Sequence, residues 1–169
     1  MMAEEKDLMM NLVVDDGSRR VPIMNKSGDE IGAFTFHPAD LGIIERYNDM
    51  ANGFDAIVEP LQALEAAEDA ELDLTDPRYI EALGEASRRL YDAVNVLLGS
   101  DDAAEAFFGR MNPFSPVDGD FYCTGVLNAL GAYIGRVFET ETAKFSAKAK
   151  KYMKKASRSA SRRYASAKH

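Results

Sequence analysis

The sequence predicts a mainly α protein with a small N-terminal antiparallel β meander. This α+β body has three long helices and one short one, and ends in a basic helical extension. Three observations carry that prediction. Before residue 37 the apolar runs are short and separated by Asp-Gly and Ser-Gly turn signals. After residue 38 the apolar residues recur at three- and four-residue spacing. The charges are also sorted: residues 1–143 hold 28 Asp/Glu and ten Lys/Arg, whereas 144–169 hold ten Lys/Arg and no acid. The body therefore carries −18 and the tail +10, within a net charge of −8. Sorting on this scale marks an interaction arm on a domain of opposite sign.

The meander is predicted over about 8–36. Leu8–Val14 (LMMNLVV) reads as a first strand, Asp15–Ser18 as a turn, Arg20–Met24 as a second strand and Glu30–Phe36 as a third. Pro22 removes one ladder donor, so the second strand is short, bulged or free on that side. The next pattern spans about 39–64, with Ile44, Tyr47, Ala51, Phe54, Val58 and Leu61 on one stripe and Ile43, Met50, Ile57 and Leu64 widening it. Asp40 is its expected cap, and Pro60 predicts a kink or restart near Glu59. Residues 65–73 are acidic and low in complexity, a solvated helix end or linker.

Asp76-Pro77 places a capping side chain before a first-turn proline and opens a helix over 77–98. Its stripe is Ile80, Leu83, Ser87, Leu90, Val94 and Leu97, and Gly99 stops it. Asp102 and Glu105 form a capping-box pattern for a short helix over 102–109. A loop with two prolines follows, and Asp120 is expected to cap the third long helix over 120–143, with Val126, Leu127, Leu130, Ile134, Val137 and Phe138 inward. The helical pattern runs on past Ala143, with fraying expected beyond about residue 156 where serines accumulate.

Catalytic chemistry finds little support, and the chain reads as non-enzymatic. His37 precedes a proline at a strand-to-helix boundary and His169 ends the chain, so neither has a partner at metal-ligand spacing. Cys123, the one cysteine, sits in an apolar helix and reads as an inert core thiol in a reducing compartment. Asp118-Gly119-Asp120 reads as a turn and cap, since it lacks the spaced oxygens of a calcium loop. No cofactor or metal is expected. Gly131 and Gly135, four apart, allow close helix packing. The longest uncharged run, Phe121–Gly135, is 15 residues, short of the ~20 that span a bilayer. With Glu4 and Glu5 where a signal peptide is basic, the expectation is a cytoplasmic protein.

In the tail, Lys144, Lys148, Lys151, Lys155, Arg158 and Arg162 form a basic stripe beside a thin, mostly alanine apolar one. Four readings compete: a solvated tail, a nucleic-acid arm, a membrane-surface helix, and a docking element for an acidic or helical protein or for the acidic body itself. The −18 body opposes nucleic acid, and an alanine stripe is too slight for a membrane surface. Protein docking is favoured. Candidate partner-binding residues are the basic six together with Ile44, Tyr47, Phe54, Leu83 and Leu90 from the two helical stripes. Sequence alone does not separate a core-facing stripe from a partner-facing one.

The segment VPIMNKSGDEIGAFTFHPADLGIIERYNDM resembles the N-terminal part of small tail assembly chaperones from long-tailed phages of Gram-positive bacteria. The residues that carry the likeness are Gly28, Ile31, Gly32, Phe34, Phe36, Pro38 and Glu45-Arg46-Tyr47. A second segment, YDAVNVLLGSDDAAEAFFGRMNPFSP, resembles the family's later part through Leu98-Gly99 and Phe108-Gly109, although Ser100-Asp101-Asp102 stands where a second glycine is usual. Lys144–His169 is similar to the family's Lys/Arg/Ser-rich end. The resemblance implies a chaperone in the host cytoplasm that binds the long helical tape measure protein and keeps it soluble. It also implies recruitment of the major tail (tube) protein, and absence from the finished virion. The alternatives are a nucleic-acid-associated protein using the basic arm, and an oligomeric structural component of the particle. Self-association is left open.

Overall fold

A computed structural model describes the backbone of residues 10–66 and 75–167, with side chains except those of 65–66, 145 and 148–167. The predicted hairpin forms as β1 (Arg19–Met24) and β2 (Glu30–Phe36). They pair antiparallel from Arg19↔Phe36 to Ile23↔Gly32, with a register shift at Ile23/Met24. Asn25 closes the turn by accepting from Gly28 and Asp29, and Gly28 takes φ +86°, which favours glycine. Among the described residues the sheet has two strands, not three. Of the expected first strand, residues 10–14 pair with nothing and are exposed, and Leu8 and Met9 lie outside the described residues. Residues 1–7 and most of the acidic 65–73 stretch lie outside them too.

The stripe over 39–64 folds as two helices, α1 (Gly42–Asn52) and α2 (Phe54–Ala66). The break falls at Gly53 and not at Pro60, which sits inside α2. A proline at position 60 leaves the Ala56 carbonyl without its intrahelical donor. Arg89 supplies one instead, its Nη1 donating to Ala56 O at 2.7 Å. Arg89 also pairs with Glu59 across the α2–α3 seam and with Glu85 one turn back on its own helix. Asp40 acts one residue early: its Oδ1 accepts from Gly42 N and its Oδ2 from Arg46. Both bonds hold its carboxyl below the usual range, the Gly42 amide more than the guanidinium.

Helix α3 (Pro77–Leu98) has the predicted bounds. Asp76 accepts from Arg78 N, and Gly99 ends the helix in the left-handed region with Ser100 N bonded to Asn95 O. In its first half the buried residues are Ala82 and Ala86, while Ile80 is exposed. Helix α4 (Ala103–Phe108) lacks the expected capping box. Asn95 takes that role from α3, accepting from Ala104 N at 2.8 Å.

The proline loop carries a second hairpin, β3 (Pro116–Val117) with β4 (Asp120–Phe121), turned by Asp118 and Gly119 at positive φ. Asp120 therefore belongs to a strand and caps no helix. The last helix, α5 (Tyr122–Ala167), takes its first bonds from loop carbonyls, Tyr122 N to Ser115 O and Cys123 N to Pro113 O. It runs unbroken for 46 residues, beyond the expected end near 156, and spans ~69 Å.

The core gathers Phe34 and Phe36 of β2, Ile43 and Met50 of α1, and Leu90, Val94 and Leu97 of α3 with Ala103, Phe107 and Phe108 of α4. Leu130 and Ile134 of α5 close it. At Gly32 an added Cβ would strike the Ala106 carbonyl oxygen, so β2 and α4 meet backbone to backbone. No polar or charged side chain is buried among the described residues.

Candidate functional site

Helix α1 is tied to both of its neighbours by adjacent residues. Arg46 Nε donates to the Leu97 carbonyl at 3.1 Å, at the C-terminal end of α3 where carbonyls and the helix dipole favour a cation. Tyr47 points the other way. Its hydroxyl lies 3.5 Å from the Leu127 carbonyl, and its ring end occupies the space that a side chain at Gly131 would need. The first contact ties α1 to α3 and the second ties it to α5.

Beside these contacts α1 and α5 line an apolar cleft of about 620 Å³. Its walls are Ile44, Tyr47, Ile134 and Phe138, its floor is Gly131 and Gly135, and its rim is Asn48, Glu139, Thr142 and Ser146. A Cβ built on Gly135 meets nothing within 4 Å, so the α5 backbone is open to close approach there. Ile44 is 45% exposed, an unusual position for isoleucine on the inner side of two helices.

A second apolar groove of about 840 Å³ lies on the opposite flank of α5. It is bounded by the β1–β2 hairpin, by Phe107 of α4, by the small second hairpin and by the first turns of α5.

Of the residues singled out from sequence, Ile44 and Tyr47 come together in the first cleft. Leu90 is fully buried and belongs to the core, which removes it from the partner-binding set. Phe54 and Leu83 are half-buried and pack against that core, away from the cleft. Lys144 is exposed and pairs with Glu141 at 3.4 Å. Lys148, Lys151, Lys155, Arg158 and Arg162 lie on the α5 backbone, and their side chains are outside the described residues. Sequence reasoning missed the cleft roles of Gly135, Ile134 and Phe138. The paired glycines were the available signal, but they were assigned to packing.

The other candidates are structural. Cys123 is buried, and burial pushes its thiol up to about 11, out of nucleophilic range. His37 Nε2 sits 2.8 Å from Asp16 Oδ2, and that contact chiefly holds the Asp16 carboxyl far below its usual range. No group of three metal-binding side chains comes together among the described residues, and no described helix is long and apolar enough to cross a membrane. Compared with known protein families, curated proteins and solved structures, the chain matches none of them.

Proposed function

We propose that this chain is a tail assembly chaperone that holds an amphipathic helix of a tape measure protein in the cleft between α1 and α5. The observation that carries the reading is the cleft itself. It is an apolar cleft between two helices, lined by Gly131 and Gly135, and it contains the exposed Ile44. A partner helix would set its i, i+3, i+4 and i+7 side chains against such walls while its backbone approaches the glycine floor. The same α5 continues as the +10 extension, so a helix lying along the cleft reaches the basic stripe next. An acidic segment beyond the partner's apolar face would complete the fit. On this reading the chaperone works in the host cytoplasm, keeps the tape measure soluble, and yields it to tube subunits without entering the virion.

Co-expression with the neighbouring long coiled-coil protein, followed by size-exclusion chromatography, tests the reading. A soluble co-eluting complex is expected, and Ile44→Asp should abolish it. An insoluble coiled-coil protein with no complex would remove the proposal's main support. The basic extension also favours a second reading, a nucleic-acid arm. Salt-sensitive DNA binding by the isolated protein would support that reading over the first.

A further inference from the structure

We infer that residues 10–14 of one copy dock into the second groove of another copy, so that two chains exchange N-terminal arms. The arm is Met10-Asn11-Leu12-Val13-Val14, an uncharged segment of strand-forming composition. Met10, Leu12 and Val13 are 88–89% exposed and Val14 is 68% exposed. Four large apolar residues within five positions, all largely exposed, are a surface that isolated soluble domains avoid.

The root of the arm is fixed. Asp15 Oδ1 accepts from Gly17 N and Asp16 Oδ1 accepts from Ser18 N. Asp16 then reaches His37, which follows the end of β2. The root therefore leans across the open end of the hairpin toward β2. This carries the arm away from the outer edge of its own β1, where a meander would have placed it.

That outer edge is bare in turn. Among the described residues β1 pairs with β2 alone, while β2 is backed by α4 at Gly32. Along β1 runs the 840 Å³ groove, lined by Val21, Ile23, Phe34, Phe107, Val126 and Tyr133. Its rim carries both signs, Lys26 and Arg136 against Asp118 and Asp120, so an uncharged segment meets no net repulsion. Met10 is helical and residues 11–14 are not, so four residues are free to extend, and they span ~13 Å, about two thirds of six-residue β1. Pro22 leaves the edge one donor short, which suits a short segment seated mainly through its side chains. Each chain supplies one arm and one groove, so reciprocal exchange closes a two-fold dimer. The exchange concerns copies of this chain and stands whether or not the first cleft takes a tape measure helix.

Sedimentation velocity on the full-length protein tests the proposal. The wild type should associate as concentration rises. The double substitution Leu12→Asp/Val13→Asp, at exposed positions, should weaken association about tenfold or more by removing the apolar burial. Its circular dichroism should be unchanged. A wild type that stays monomeric at its highest soluble concentration, or a double variant that associates equally well, would overturn the idea. Cysteine pairing separates exchange from folding back within one chain. Full-length Leu12→Cys mixed with Met24→Cys should give the mixed disulfide dimer. If instead the doubly substituted chain closes its disulfide internally as a monomer, the arm belongs to its own groove and the exchange is wrong.

Discussion

The hairpin with α3 and α4, and the long helix α5, are held to the molecule in different ways. The first three elements meet through largely buried surfaces. Leu90, Ala103 and Ala104 are fully buried, and β2 touches α4 backbone to backbone at Gly32. Helix α5 instead leans on the body through a few points: the buried Cys123, Leu130 and Ile134, the Tyr47–Gly131 contact, Tyr122 Oη donating to Phe107 O, and Arg19 paired with Glu141. An open groove lies on each side of it. The comparison teaches where stability and where binding reside. A face that interlocks has no room for a partner, and a helix flanked by troughs does.

Four substitutions can break or sharpen that division. The largest loss of stability should come from Leu90→Ala, which empties a fully buried site among α1, α3 and α4 side chains. Such truncations cost ~2–5 kcal/mol, and the midpoint of urea unfolding should fall accordingly with an unchanged slope. Gly32→Ala comes next. The added methyl would strike the Ala106 carbonyl oxygen and lie 3.2 Å from its carbon, so the α4 backbone has to move off β2. Overpacking of this kind costs ~1–3 kcal/mol. A neutral result by thermal unfolding would mean that the hairpin and α4 are less interlocked than their geometry states. Arg89→Met keeps the aliphatic stem but removes the donor to Ala56 O. With the site partly exposed, water replaces some of the bond and the cost should be ~1 kcal/mol. Hydrogen exchange should rise in α2 around Pro60 before it rises in α3.

Arg89 also marks where the sequence stopped being readable. The bounds of α3 were legible because both ends are written locally, in Asp76-Pro77 and in Gly99. The second and third predicted strands were legible from their turns for the same reason. The break at Gly53 was not, because a proline tolerated inside α2 depends on a guanidinium 33 residues beyond the Ala56 carbonyl that it serves. The cap of α4 misled in the same manner, since Asn95 of the preceding helix replaces Asp102. The missing first strand is again a question of pairing, which composition does not decide. In the candidate site, Ile44 and Tyr47 could be nominated from periodicity, but Leu90 shared the same signal and is core. A helical stripe records that a face is apolar, and only the approach angle of the neighbouring helix says what covers it.

That angle is what Gly131→Leu should disturb, with the smallest effect on stability and the largest on binding. A side chain at 131 would overlap the Tyr47 hydroxyl and lie 2.9 Å from its Cζ. The atoms in the way are the far end of a side chain and not backbone, so Tyr47 can turn aside at a cost of ~1 kcal/mol or less. The space it turns into is the cleft beside Ile44 and Asn48, and the new leucine rises from the cleft floor as well. Unfolding should therefore be nearly unchanged while affinity for an amphipathic partner helix falls by about tenfold or more, the equivalent of ~1.4 kcal/mol. Isothermal titration with the partner segment and urea unfolding of the same sample read the two quantities separately. Should Gly131→Leu unfold the protein as readily as Leu90→Ala does, α5 would be a member of the core like any other helix. The distinction between an interlocked body and a leaning, partner-facing helix would then fail, because the cleft would be a packing seam whose walls hold each other and nothing else.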